Sequence, residues 1–302
     1  MSLQNLHCLF KLVLHKILTI TSLPPEEVLG ALKNLQSIEI VDCYLLTSFG
    51  GISALTSLKM LNIYGSCLEL QVSSDRSLLP SQLEELTFQE CANIDVIIEH
   101  SDLPELCTLY YRNCSINKIN LTNLLKLTNF TIEGCSQPFV LEGLSSLGGL
   151  DYLWVWKCPK VYLSSPEDKY ASLLYCLVID DLSLLTLMLS DKTISELEKL
   201  VILSVGGGAI NGEVFKCLTS LKYLGFGACQ ITSLPTTMKG LANLHTLLLD
   251  DCKKLDNLNF LPENLKKLEI EDCPILEKQY GNGGRKYKKI AHIPIILFKW
   301  ST

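Results

Sequence analysis

The sequence lacks any unbroken run of the roughly 18 apolar residues that a membrane-crossing helix needs, so no membrane span is expected. Its apolar N-terminal stretch is interrupted by Lys11, His15 and Lys16, which argues against a signal peptide. Charge is sparse, at 19% of residues, and leans acidic: 26 Lys and Arg face 32 Asp and Glu, for a formal net charge of -6. Nucleic-acid binding draws on clustered basic side chains, so no nucleic-acid partner is expected. The one dense basic run, residues 285–289, reads as a solvated tail. Histidine is scarce too. The five residues, at 7, 15, 100, 245 and 292, have no Cys, Ser, Asp or Glu partner at a spacing that builds a nucleophile or a metal site. No Cys-x-x-Cys pair occurs, which removes the commonest zinc signature. Gly206, Gly207 and Gly208 lack the Lys-Ser/Thr that makes a glycine loop hold phosphate, and read as an irregular turn. No catalytic residue, metal or cofactor is nominated, and the chain is not expected to be an enzyme.

What the sequence has in abundance is hydrophobic residues, at 48%, arranged in a period. The frame is apolar-x-x-apolar-x-apolar-x-x-(Cys or a small or apolar residue), as in Leu265, Leu268, Ile270 and Cys273. It recurs as Leu244, Leu247, Leu249, Cys252 and as Leu83, Leu86, Phe88, Cys91. Twelve units are read, with first positions at Leu9, Leu35, Leu58, Leu83, Leu106, Leu127, Leu150, Leu174, Leu200, Leu221, Leu244 and Leu265. The mean step of about 23 residues falls within the leucine-rich-repeat range. Positions 4 and 6 alternate with polar residues, so each unit predicts a short strand with one buried face. Strands one unit apart must run parallel, because each returns through a crossover. The connecting segments 142–149 and 235–243 are rich in Gly, Ser, Thr, Asn or Pro, and predict irregular or single-turn returns. The fold class expected is α/β: a leucine-rich-repeat solenoid, one horseshoe with a concave parallel sheet. Residues 1–278 form the repeats and 279–302 a C-terminal tail or cap.

Thirteen cysteines could suggest disulfides, but eight of them fall at position 9 of the frame: Cys43, Cys91, Cys114, Cys135, Cys158, Cys229, Cys252 and Cys273. A ladder of reduced, packed thiols fits that placement, and reduced thiols indicate a cytoplasmic protein. Sequons begin at Asn113, Asn120 and Asn129, yet Asn129 would lie on a strand, so glycosylation is not expected. The acidic pairs Asp180-Asp181 and Asp250-Asp251 recur at one repeat position and read as solvated strand ends.

Positions 3, 5 and 7 should point out of the concave sheet. They hold Tyr64, Tyr110, Arg112, Tyr152, Trp154, Trp156 and Tyr223, then Asp180, Asp250, Glu269 and Glu271. Tyr, Trp and Arg carry most of the binding energy at protein interfaces. Partner contact is one reading of these aromatics; stacking on strand neighbours is the other.

The Leu-x-x-Leu-x-Leu-x-x-Cys frame, followed by segments such as Ile231-Thr-Ser-Leu-Pro235, resembles the C-terminal repeats of plant nucleotide-binding leucine-rich-repeat disease-resistance proteins. Leu268-Glu-Ile-Glu-Asp-Cys-Pro-Ile-Leu-Glu277 and Lys289-Ile-Ala-His-Ile-Pro294 resemble the ending of coiled-coil-type members, with Lys286-Tyr287 where that ending usually has Asp-Trp. The resemblance implies a role in innate immunity. The repeats would bind a pathogen effector, or the receptor's own nucleotide-binding module and so restrain it. It also implies a nucleotide-binding module and coiled coil upstream, which would make this chain a fragment of a longer receptor. The alternative is a stand-alone cytosolic adaptor, such as the substrate-binding half of an F-box-type ubiquitin ligase subunit.

Overall fold

The computed structural model describes residues 8–65, 78–92, 94–164, 174–189, 197–203, 210 and 212–299. The strands, in chain order, are β1 (Lys11–His15), β2 (Ser37–Val41), β3 (Met60–Tyr64), β4 (Glu85–Gln89), β5 (Thr108–Arg112), β6 (Lys118–Asn120), β7 (Asn129–Glu133) and β8 (Phe139–Glu142). There follow β9 (Tyr152–Trp156), β10 (Val161–Leu163), β11 (Cys176–Ile179), β12 (Lys199–Leu203), β13 (Tyr223–Gly227), β14 (Thr246–Asp250), β15 (Lys267–Glu271) and β16 (Ile295–Lys299). Packing divides the chain into two compact units. The first comprises 1–150 and 157–171, the second 151–156 and 172–302.

In the first unit β1, β2, β3, β4, β5 and β7 pair in sequence order, all parallel. A second, three-stranded parallel sheet of β6, β8 and β10 forms on the return segments. In the second unit β9 and β11 to β16 pair in order, again all parallel. Pairing among the frame strands joins like positions of successive repeats, for instance Leu224 with Leu247 and Leu247 with Leu268. That register follows from burial: a slip by one residue would turn each strand's apolar set to solvent.

The core is built from frame positions 1, 4, 6 and 9. Leu221, Leu224, Phe226 and Cys229 are wholly buried, as are Leu244, Leu247 and Leu249. In the first unit Phe88 stacks on Tyr111 with ring centroids 5.6 Å apart, and Tyr111 meets Phe130 edge-on at 6.4 Å. The returns are short. Single 3-10 turns occupy Leu144–Ser146 and Thr236–Gly240, as the composition of 142–149 and 235–243 predicts. The helices are α1 (Glu26–Leu29), α2 (Asp95–Glu99), α3 (Leu182–Leu189) and α4 (Pro274–Tyr280).

Seven of the eight ladder thiols, those of Cys43, Cys91, Cys114, Cys158, Cys229, Cys252 and Cys273, donate to main-chain carbonyls at the strand ends. Cys114 Sγ reaches Phe88 O at 3.4 Å and Arg112 O at 3.3 Å; Cys273 Sγ reaches Leu249 O at 3.5 Å and Glu271 O at 3.2 Å. The acceptors are position 6 of the preceding repeat and position 7 of the same one, so the thiol ties two turns together. Hydrogen bonds with neighbouring ladder thiols, reinforced by burial, push Cys135 and Cys252 up from the ordinary thiol range. They are packed core groups, and not the exposed, low-pKa kind that reacts.

Two expectations require correction. The ninth repeat starts at Leu197, not at Leu200: Leu200 pairs with Leu224 and Ile202 with Phe226, which makes them positions 4 and 6. Leu197, Leu200 and Ile202 are all fully buried. The run Lys199-Leu-Val-Ile-Leu203 offers two frames, and only stacking on the neighbouring strands selects one. The basic run 285–289 is likewise no free tail. Lys286 Nζ donates to Asp256 O at 3.1 Å and Lys289 Nζ to Asn259 Oδ1 at 3.2 Å, while Tyr280, fully buried beneath, accepts the Leu258 N–H at 2.9 Å. Residues 279–302 carry β16, whose Ile296 and Phe298 sit in register with Leu268 and Ile270. The glycine run 206–208 lies outside the described residues.

Candidate recognition face

Alternation along each strand sends positions 3, 5 and 7 to the face opposite the core. All eleven residues nominated from the sequence stand there, and none is fully buried. They divide between the two units: Tyr64, Tyr110 and Arg112 in the first, and Tyr152, Trp154, Trp156, Asp180, Tyr223, Asp250, Glu269 and Glu271 in the second.

The first unit's face is polar and largely self-neutralised. Tyr110 Oη donates to Glu133 Oε2 at 3.3 Å, and Arg112 Nε lies 3.7 Å from the same oxygen. Lys11 pairs with Glu39 at 2.7 Å. Tyr64 stands two strands from Tyr110, so the structure does not bring the two tyrosines together. Burial, followed by the Glu39 carboxylate, raises the Tyr64 hydroxyl above its usual range.

The second unit's face is apolar at one end and acidic at the other. Tyr152 is 47% exposed and Trp154 40%, large fractions for side chains of that size. The Trp154 and Trp156 rings lie 6.4 Å apart, and Tyr152 meets Tyr175 edge-on at 5.7 Å. Position 5 then continues through Val178, Val201, Gly225 and Leu248 to Glu269. At the acidic end Glu269 accepts from Lys267 at 2.7 Å and Lys299 at 3.0 Å, which hold its carboxyl below the usual carboxylate range. Asp250 differs. Burial first, then the charges of Glu271, Asp251 and Asp272, raise its carboxyl above that range.

Several residues of this face escaped the sequence reading. Lys199, Val201 and Leu203 occupy positions 3, 5 and 7 of β12, and the misplaced ninth frame had assigned them elsewhere. The Lys199 ammonium sits 4.9 Å from the Tyr223 ring centroid. Tyr175, 42% exposed, lies just before its strand, where alternation gives no direction. Asp181, expected as a solvated strand end, caps α3: its Oδ1 accepts the Ser183 N–H at 2.8 Å.

Parallel strands of equal register, one per repeat of about 23 residues, with a core drawn from one leucine frame, define a leucine-rich-repeat solenoid. No family model matches the chain. An Arabidopsis thaliana protein named for disease resistance is 27% identical over 266 residues, a match covering 79% of this chain and 28% of that protein. A leucine-rich-repeat protein of Leptospira interrogans aligns with 97% of this chain and 91% of its own, at a TM-score of 0.49 and 19% identity. An internalin of Listeria monocytogenes aligns with 100% and 85%, at 0.47 and 18%. The chain is thus a leucine-rich-repeat protein similar in sequence, over most of its length, to a plant disease-resistance protein. It spans under a third of that relative. Among the described residues no helix is long and apolar enough to cross a membrane.

Proposed function

We propose that this chain is the protein-recognition solenoid of an intracellular plant immune receptor, sensing a pathogen effector or restraining the receptor's own nucleotide-binding module. The observation that carries the reading is the exposed aromatic group Tyr152, Trp154 and Tyr175 on the open face of the second unit. Packing that a fold needs for itself is buried, as Phe88, Tyr111 and Phe130 are in the core. Aromatic rings left in water on the open face of a sheet are instead the residue types that anchor interfaces. The likeness to a disease-resistance protein supports the biological setting, and the packed thiol ladder supports a reducing compartment.

The test is a paired substitution, Tyr152→Ala with Trp154→Ala, read against the nucleotide-binding module supplied in trans and against a panel of effectors. Loss of at least about 2 kcal/mol of binding is expected, since hot-spot aromatics cost that much on truncation. The circular dichroism and melting temperature should be unchanged. Binding that survives the double substitution would overturn the reading.

A further inference from the structure

The return between β15 and β16 carries a pocket of its own. Helix α4 ends at Tyr280, and the chain then folds back on it: Gly284 N donates to Gly281 O at 2.8 Å and Lys286 N to Gln279 O at 2.9 Å. Gly283 makes that reversal in the left-handed region, at a φ of 83°. The fit is close, since a Cβ on Gly284 would collide with the Gln279 and Gly281 carbonyl oxygens. The base is anchored as well, by buried Tyr280 on the Leu258 N–H and by Lys286 Nζ on Asp256 O. Between helix and turn lies a half-open cavity of about 860 Å³, whose lining includes Pro274, Ile275, Lys278, Gln279, Arg285 and Lys286.

The lining is cationic and uncompensated. Three basic residues contribute to it and no carboxylate does. Several other lysines of this unit are neutralised: Lys222 by Glu198, Lys253 by Asp251, and Lys267 and Lys299 by Glu269. Among the described residues no ion pair or hydrogen bond engages the side chain of Lys278 or Arg285. The Gln279 amide makes none either, and its Oε1 is buried. Nothing fixes that amide, so a half-turn presents its NH2 in place of its oxygen. The Gly283 and Arg285 N–H groups, at the turn, likewise have no acceptor among the described residues. What these donors lack in common is an anion.

We infer that this pocket binds the phosphate group of a small phosphorylated molecule. Two uncompensated cations call for a dianion, which a phosphomonoester supplies near neutral pH and a single carboxylate does not. The Arg285 guanidinium matches two phosphate oxygens at once, Lys278 adds a point charge, and the Gln279 amide donates a further bond. Pro274 and Ile275 give the organic part an apolar wall. The volume falls among those of small-molecule pockets, roughly 300–1,000 Å³, and exceeds what a bare phosphate fills. A soluble phosphoester and a lipid headgroup share this chemistry. The pocket lies on a return, apart from the strand face that carries Tyr152 and Trp154, and stands independently of the docking reading.

Calorimetric titration of the full 302-residue chain with phenyl phosphate, and with phenol as the uncharged control, tests it. Phenyl phosphate should bind and phenol should not. Lys278→Gln combined with Arg285→Gln should weaken phenyl phosphate at least about tenfold, the loss expected of charge-assisted hydrogen bonds. The melting temperature should be unchanged, because neither side chain has a partner in the free protein. Lys288→Gln removes an exposed charge of the same basic run that does not line the pocket, and should bind as wild type does. Phosphatidylcholine vesicles carrying phosphatidylinositol phosphate form the second arm. Vesicle capture that phenyl phosphate displaces assigns the site to a headgroup; phenyl phosphate binding without vesicle capture assigns it to a soluble phosphoester. Absence of phenyl phosphate binding, equal losses in the pocket and Lys288 variants, or vesicle capture that phenyl phosphate leaves in place would each overturn the proposal.

Discussion

Position 8 of the frame is the least conspicuous residue of each repeat and the most constrained. In ten repeats it holds a left-handed backbone: φ is 53° at Asp42, 51° at Asn113, 53° at Lys157, 52° at Ala228 and 49° at Asp272, with glycine at Gly65 and Gly134. The turn ends the strand and swings the next residue, usually Cys, into the core. Asn and Asp visit this region at modest cost, whereas an alanine there costs about 1–2 kcal/mol. Ala228→Gly should therefore raise stability by roughly 0.5–1 kcal/mol after the entropy of the added glycine is counted, measured by urea denaturation. A loss of stability would show that the left-handed turn is not strained at Ala228. At the same scale, Glu269 titrates differently from a free carboxylate. Its pKa is lowered by Lys267 and Lys299, so its contribution is present above the ordinary carboxylate value and is lost as pH falls through the lowered one. Glu269→Gln should flatten the acid limb of the stability–pH curve in that window; an unchanged limb would mean the two lysines contribute nothing to folding.

At the scale of the strand, β12 separates what a sequence discloses from what it hides. Leu265, Leu268, Ile270 and Cys273 are flanked by Lys, Glu and Asp, so their frame is read without neighbours. In β12 Leu200, Val201, Ile202 and Leu203 are all apolar, and alternation carries no sign there. The structure resolves it by pairing Leu200 with Leu177 and Leu224. Truncation distinguishes the two frames. Leu200→Ala should cost about 2–5 kcal/mol, as a buried leucine does, and Leu203→Ala under about 1 kcal/mol, as a surface change does. Equal losses, or the reverse order, would restore the frame starting at Leu200. The left-handed turns were hidden for a related reason. Lys157, Ala228 and Asp272 share no side-chain chemistry, so nothing in their identities announces a common backbone. The outward aromatics were legible because position alone assigns their face; their neighbours Val201, Leu203 and Tyr175 were not, one pair through the frame and the other for lying off a strand.

At the scale of the molecule, the two units carry faces of different character. The first pairs its charges internally through Lys11 with Glu39 and Arg112 with Glu133. The second exposes Tyr152 and Trp154 beside an acidic end that includes Asp250 and Glu271. Exposed pairs of the first kind are worth little to stability, and the proposed recognition is placed on the second unit, where the aromatic rings are exposed. The proposed role places the partner on that open face, away from the short returns such as Thr236–Gly240. Hydroxyl-radical footprinting of the chain with and without its bound partner reads this directly, because aromatic side chains report their own exposure. The account predicts protection of Tyr152, Trp154 and Tyr175 on binding, with exposed return-segment residues such as Tyr162 unchanged. Protection confined to the returns, with those three rings labelled as in the free chain, would contradict it.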